Sequence, residues 1–455
     1  MKRCPFALLA ALVLSTIALT GCATAGENNQ PLAGFTALFN GENLEGWTGG
    51  TTRNPKDIDA LSEADRLAWD TRQLRGITQH WSVDDSELVS DGHEPHLVTD
   101  RDYGDFEMWV DWKLRPNGDS GIYLRGCPQV QIWDPTNEDA HRHGSDKGSG
   151  GLWNNYRNER FPTELADKPI GEWNRMFVRM VGQYVTVILN DITIVDNVPL
   201  DRHRGYLPQE LRDQLGEHPQ LGPPVFMTGP IHLQTHGSET RFRNVFVREI
   251  PAQEANTMFA QIQGDEEGFT SLFNGENLDG WIGATDSYEV HDGAIRCKAQ
   301  FGGNLVTEEQ YDNFIVRLEF KLPPGGNNGL AIRTPNAEVN PANQALELQV
   351  LDNTAEKYAD LKDYQYHGSA YGITPAHRGY LRPVGEWNDQ QVVVNGDHIQ
   401  VFLNGFKILD THLQQAAPDH PAAGRTTGHF GFCGHNDPVE FRNIRIKPIE
   451  ESTEE

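Results

Sequence analysis

Cysteine is scarce in this chain: five in 455 residues, at positions 4, 22, 127, 297 and 433. Cys4 and Cys22 fall in an N-terminal leader. Cys127, Cys297 and Cys433 are too few and too scattered for a disulfide framework or a zinc site. They leave open a single Cys297–Cys433 bridge in the C-terminal half. Basic charge is also short: 38 lysines and arginines against 65 aspartates and glutamates, a net charge of −27. A field of that sign repels nucleic acid and anionic lipid, and it favours neutral or cationic partners. No nucleic-acid partner is expected. The apolar run Phe6 to Leu19 is too short to span a bilayer, and helical periodicity is nearly absent from the rest.

What is present begins with the leader. Lys2 and Arg3 precede the apolar run, as in a secretory signal peptide. The run ends in Leu19-Thr20-Gly21-Cys22, which resembles the lipobox of bacterial lipoproteins. That resemblance implies a signal peptide over 1–21 and lipidation of Cys22. It implies export to a bacterial envelope, with contact to the membrane through a lipid anchor only. Ala23, where inner-membrane retention would call for aspartate, points to the outer membrane or the periplasmic face. Residues 22–34 are small and polar, as a tether is.

The folded part repeats itself. FTALFNGENLEGW opens at Phe35 and FTSLFNGENLDGW at Phe269, with eleven of thirteen positions identical. GEWN recurs at 171–174 and 385–388, and FRN at 242–244 and 441–443. Landmarks in the same order mark a duplicated domain, over 35–250 and 269–449, with a polar linker at 251–268. The first copy is longer, with insertions near 52–76, which read as a short amphipathic helix, and near 202–224. Within each copy the period is two. Phe106, Met108, Val110, Trp112 and Leu114 share one face, as do Phe314, Val316, Leu318, Phe320 and Leu322. Asn-Gly pairs flank Ile399, Val401 and Leu403, the signature of tight hairpins. The expected fold is all-β, two β-sandwiches in tandem. The shared opening phrase, with Leu38, Phe39, Leu44 and Trp47, is expected to be a structural strand and turn.

The same alternation nominates site residues. In the strand around 345–353, Leu346, Leu348 and Val350 face a core, so Glu347 and Gln349 point away, with Asp352 just past the end. In the counterpart around 128–136, Gln129, Gln131 and Trp133 point away, ending at Asp134. Amides and carboxylates on one sheet face suit sugar hydroxyls. Glycine-rich turns lead into strands ending in Arg125 and Arg333. His367 lies in YHGSAYG, and His236, two residues after Gln234, and His435 precede the last strands.

The ordered set LFNGENLDGW, GNNG, ELQVLDN, YHGSAYG, GEWN and FRNIRI resembles the bacterial 3-keto-disaccharide hydrolase family, or 3-keto-glucoside 1,2-lyase/hydratase domains. The first copy resembles another branch of it, and together the two cover almost the whole mature chain. The resemblance implies a concanavalin-like jelly roll and an oxidised glycoside as substrate. It implies removal of the C2 proton made acidic by the C3 ketone, loss of the C1 substituent, and hydration. On that reading Glu347 or His367 is the base and Arg333 stabilises the enolate, with Gln349, Asp352 and His435 on the substrate. In the first copy Arg125, Gln131, Asp134, Gln234 and His236 are the binding candidates. Gln129 replaces the carboxylate there, so His143, Asp134 or His236 would have to supply a base. No cofactor is fixed by the sequence. A divalent metal could act as electrophile, but no tight ligand motif shows one. The rival reading is a non-catalytic carbohydrate-binding pair leaning on Trp133 and Trp153, and a third is a purely structural pair.

Overall fold

The computed structural model of the protein describes residues 29–449, apart from 127, 156–157, 204–205, 208–222 and 265. The leader, Cys22, Cys127 and most of the second insertion of the first copy lie outside those residues. Among the described residues no helix is long and apolar enough to cross a membrane.

The chain forms four antiparallel sheets, two from each half. In the first half an eight-stranded sheet, with Phe106–Leu114 near its middle, opposes a six-stranded one. The latter runs in the order Trp47–Gly50, His96–Thr99, His232–Leu233, Asp119–Tyr123, Gln129–Trp133, Leu152–Trp153. In the second half an eight-stranded sheet built around Phe314–Lys321 opposes a five-stranded one. Its order is Trp281–Gly283, Gly302–Tyr311, Gly428–His435, Asn327–Thr334, Leu346–Leu351. The period-two residues of both large sheets are buried, and they share a core with Ile122, Val130, Leu330 and Leu348 of the small ones. Each half is therefore a jelly-roll-like sandwich.

The repeated phrase is structural in both halves. Asn40 Oδ1 accepts the Glu42 and Asn43 amides, and Asn274 Oδ1 accepts those of Glu276 and Asn277. The turn so made delivers Trp47 and Trp281 to the core, where each is 5 % exposed. Each indole N–H donates back to the opening strand, Trp47 to the Leu38 carbonyl at 2.7 Å and Trp281 to that of Leu272 at 2.8 Å. A buried aromatic with its polar handle satisfied contributes on the order of 1.5–3 kcal/mol.

The first insertion is two helices, α1 (Pro55–Asp59) and α2 (Glu63–His80). Ser62 caps α2 through the Asp65 amide at 3.2 Å, and acidic Glu63 and Asp65 occupy its first turn, where the helix dipole favours them. The helix runs beyond residue 76 to His80. It lies against Trp47–Gly50: a Cβ on Gly49 would meet the Gln73 carbonyl at 2.8 Å.

The stretch expected to be a polar linker is different in kind. It carries α3 (Ala252–Ile262), which buries Ala255 and Phe259 with Val181 and Ile250. Phe259 also lies against Gly405 of the second half, where any Cβ would strike its ring. Gln183 N donates to the Gly405 carbonyl at 3.2 Å, and the Lys407 amide donates to Gln183 Oε1 at 3.0 Å. Tyr380 Oη donates to the Pro224 carbonyl at 2.8 Å. Asn256 also bonds Glu319 and Arg382 of the second half, and Glu266 bonds Arg317 and Arg445, so polar side chains that read as linker make much of this contact.

Candidate active site

The edge strand Leu346–Leu351 turns Leu346, Leu348 and Val350 into the core. Glu347, Gln349 and Leu351 point the other way, into a cavity of about 390 Å³. Asn304, Asn327, Cys433 and His435 come from neighbouring strands of the same sheet, and residues 338–342 form one wall. Tyr358, Gln365 and Tyr371 form another.

Glu347 is 5 % exposed, and its Oε1 stands 3.8 Å from Nε2 of the half-exposed His435. Its carboxylate lies over Gly329, where any Cβ would occupy the same space. The second glycine of GNNG therefore makes room for the acid. Gln349 Nε2 donates to Asn327 Oδ1 at 3.1 Å, leaving its buried Oε1 without a partner. Gln365 Nε2 donates to the Tyr371 hydroxyl oxygen at 2.7 Å, so the phenol proton is free to be donated elsewhere. Burial and the Glu347 charge push the Cys433 thiol well up, which makes it a poor nucleophile. It is a free thiol, as is Cys297, and the bridge between them is not formed. The arrangement offers a sheltered carboxylate, an imidazole, a phenol and amides around one open space. That set can remove a proton, donate one, and hold hydroxyls.

Of the residues nominated from the sequence, Glu347, Gln349 and His435 meet in this cavity. Several others do not. His367 is 1 % exposed and packs against Phe320 with ring centroids 4.9 Å apart. Its Nδ1 faces the Leu351 amide at 3.4 Å, and burial lowers its pKa to about 3. It is a neutral core histidine, because the YHGSAYG loop turns it inward and presents Tyr371 instead. Arg333 does not line this cavity. Its backbone is left-handed, with φ 53°. Its guanidinium donates to the Asp312, Gly396 and Arg425 carbonyls and to Asn313 Oδ1, at 2.7–3.0 Å. Arg125 repeats this in the first half on the Gly104, Gly182 and Phe226 carbonyls and Asp105. Both arginines are loop clasps. Asp352 accepts the Thr354 amide and hydroxyl and the Gly325 amide, and Asp134 accepts those of Thr136 and the Asn117 amide. These carboxylates are committed to turns rather than to a ligand.

The first half fills the equivalent face. Glu347 and Gln349 correspond by register to Gln129 and Gln131, Ala331 to Tyr123, Gly431 to His232, Leu351 to Trp133 and Asn304 to His96. Larger side chains thus replace small ones at four of these positions. Trp133 is 6 % exposed, its indole donating to the Gly148 carbonyl at 2.7 Å, and is no exposed sugar platform. Gln234 Nε2 donates to Tyr123 Oη at 3.1 Å. A hydrogen-bonded chain runs from Gln129 through Gln131 to Asp119 and ends on His236, whose Nδ1 is 3.0 Å from Asp119. The bond to Asp119 raises the His236 pKa. His143 stands apart on a surface turn, beside Trp153. A smaller cavity, about 150 Å³, lies between α1–α2 and this sheet, with Val98 and His232 in its lining.

Asn304, Asn327, Gln365 and Tyr371 were not singled out from the sequence. Asn327 and Tyr371 lie within the GNNG and YHGSAYG motifs, but only the register shows that they converge. Among the described residues, a trio of donors able to hold a metal occurs at His80, Asp91 and His93, outside this cavity.

A 3-keto-disaccharide hydrolase from Bacteroides thetaiotaomicron is 26 % identical over 251 residues, covering 45 % of this chain and 86 % of that protein. A Parabacteroides distasonis structure, provisionally assigned as a glycosyl hydrolase, aligns at 27 % identity over 40 % of this chain and 99 % of its own, with a TM-score of 0.37. The carbohydrate-binding module CBM66 of Bacillus subtilis aligns at 15 % identity over 37 % of this chain and 95 % of its own, with a TM-score of 0.27. Residues 34–248 and 268–447 each match the 3-keto-alpha-glucoside-1,2-lyase-like domain. With two such domains filling most of its length, the chain belongs to that carbohydrate-active family.

Proposed function

We propose that the second copy cleaves 3-keto-glycosides in the Glu347 cavity. The observation that carries this reading is a buried carboxylate facing an open, amide-lined space with an imidazole and a phenol beside it. A ketone at C3 makes the C2 proton acidic. Glu347 takes that proton, and the electron pair of the broken C–H bond moves into the enolate. In this scheme Tyr371 donates its free proton in a hydrogen bond to the enolate oxygen. Collapse of the enolate breaks the C1–O bond, and His435 gives a proton to the departing oxygen. Water then adds across the C1–C2 double bond, so the net change is hydrolysis. Gln349 and Asn327 hold sugar hydroxyls. The name of the Bacteroides relative supports the substrate class.

The test is incubation of the purified protein with 3-keto-trehalose and related keto-glycosides, following free sugar. Glu347→Gln is expected to slow release by about 10²–10⁴-fold, the usual contribution of a general base. Unchanged turnover in that variant sinks the assignment.

The filled face of the first copy leaves it no comparable space for this elimination, so the two copies differ in role. The protein is further proposed to be exported and lipid-anchored through Cys22. Partition of the wild type with membranes, and its loss or arrest as precursor in Cys22→Ser, is the outcome expected.

A further inference from the structure

A cluster outside both sheet faces brings two imidazoles and a carboxylate within reach of one another. His80 is the last residue of α2, and Asp91 and His93 sit on the turn between strands Glu87–Ser90 and His96–Thr99. Both imidazoles aim Nδ1 at one carboxylate: His80 at Asp91 Oδ2, 3.0 Å, and His93 at Asp91 Oδ1, 3.2 Å. The rings lie 5.4 Å apart, and one donor atom from each residue falls within 4.8 Å of the others. Gly92, at φ 95°, gives the turn the shape that places Asp91 and His93 on the same side.

We propose that His80, Asp91 and His93 bind a divalent transition-metal ion of the zinc type, and that the ion latches α2 to the first copy. With zinc–nitrogen bonds of about 2.0–2.1 Å, tetrahedral ligand atoms lie roughly 3.3–3.4 Å apart. His80 Nδ1 and His93 Nδ1 each stand near that edge from a different oxygen of Asp91, so the carboxylate would bind through one oxygen or both after modest ring rotations. Two imidazoles and one carboxylate favour zinc, nickel, cobalt or copper over magnesium or calcium, which prefer all-oxygen sites. Solvent supplies the remaining position, since all three side chains are at least partly exposed. The excess of acidic residues raises the local concentration of any divalent cation. His80 at the C-terminus of α2 also places the cation at the negative end of the helix dipole.

The latch has a structural consequence. α2 buries Gln73 and Ile77. Its C-terminal end runs straight into Trp81–Asp84, where Trp81 pairs with Ser90 and the Asp91 amide donates to the His80 carbonyl at 3.1 Å. The ion would reinforce a junction the backbone already makes. A metal bridging His80 to the Asp91–His93 turn would fix the cover over the small cavity that His232 lines.

The experiment uses tag-free full-length mature protein stripped with chelator. Zinc titrated by calorimetry should bind with one tight equivalent, and magnesium should not compete. His93→Ala and Asp91→Asn, both at exposed positions, should weaken zinc binding by roughly tenfold or more. Cobalt should give the intense visible absorption of a tetrahedral site in the wild type and lose it in His93→Ala. Zinc should slow amide exchange in the last turns of α2 in the wild type and not in the variant. Zinc binding that is absent, or unchanged in His93→Ala, overturns the site. Binding that depends on His93 but leaves α2 exchange unchanged overturns the latch.

Discussion

The outer faces of the two small sheets begin from the same backbone and end in opposite states. In the second copy Ala331, Leu351, Asn304 and Gly431 leave room around Glu347. In the first, Tyr123, Trp133, His96 and His232 occupy the equivalent positions, and α1 and α2 lie over the sheet edge. Inward residues, the indole-anchored opening phrase, the arginine clasps and the aspartate turns are common to both. A sandwich constrains one face of each strand through packing, and it leaves the other face free to be emptied or filled. The difference teaches that whether the face is open depends on a few small-for-large exchanges, while the clasps that hold the strands stay the same.

That contrast can be broken most sharply at the acid. In the full chain Glu347→Gln should cost about 10²–10⁴ in kcat/KM on a 3-keto-glycoside, whereas His236→Ala should leave it nearly unchanged. The reverse pattern would place the chemistry in the first copy. Filling the open face is the next test. Leu351→Trp copies Trp133 into the cavity and should remove saturable turnover while the melting temperature stays close to that of the wild type. Normal kinetics in that variant would mean the substrate does not enter there.

The clasps should behave alike in both copies and differ from the proposed catalytic residues. Removing Arg125, which is 0 % exposed, strands Asp105 and three carbonyls, and should cost about 3–5 kcal/mol in denaturant unfolding. Arg333→Ala should also destabilise, and the fraction that remains folded should keep its specific activity. A selective loss of kcat with unaltered stability would restore Arg333 as an enolate stabiliser.

A further comparison is acid stability. Burial depresses the pKa of His96 to about 4 and of His232 to about 3 in the first copy, and of His367 to about 3 in the second. An unfolded histidine titrates near 6.5, so the unfolded chain binds more protons below that pH. Stability is full above about 6.5 and falls as pH drops toward 4, by up to roughly 1.4 kcal/mol per unit for each histidine. Two such residues against one make the first copy the steeper. Amide exchange at pH 7 and pH 5 should show it opening first, and equal sensitivity of the halves would count against this account.

Much of this architecture was legible in the sequence. Period two gave Phe106–Leu114 and Phe314–Lys321, and it separated Glu347 and Gln349 from the core residues between them. What failed were residues at strand irregularities, just past strand ends and in loops. Arg333 and Arg125 adopt left-handed backbone, which breaks the alternation and sends the side chain into the loops. Asp352 and Asp134 lie one step past a strand end, where a carboxylate more readily caps a turn than meets a ligand. In YHGSAYG the histidine looked like chemistry, but a loop that re-enters the core buries one aromatic and presents the other. Only the three-dimensional path tells which. The exchange of Ala331 for Tyr123 was equally hidden, because it matters through cross-strand register and not through spacing along the chain.

The near-identical opening phrases carry a hazard for a newly made chain. Thr36–Ala37 pairs with Thr240–Glu249, and Thr270–Ser271 with Glu440–Pro448. Either short strand offers almost the same residues to either partner, so crossing them would join the halves wrongly with little local penalty. Order of synthesis is the safeguard: residues 240–249 leave the ribosome before residues 270–271 do, so the first strand meets its partner before its rival is exposed. Refolding from denaturant removes that protection. The full chain should therefore recover its native pairing less efficiently in a test tube than on the ribosome.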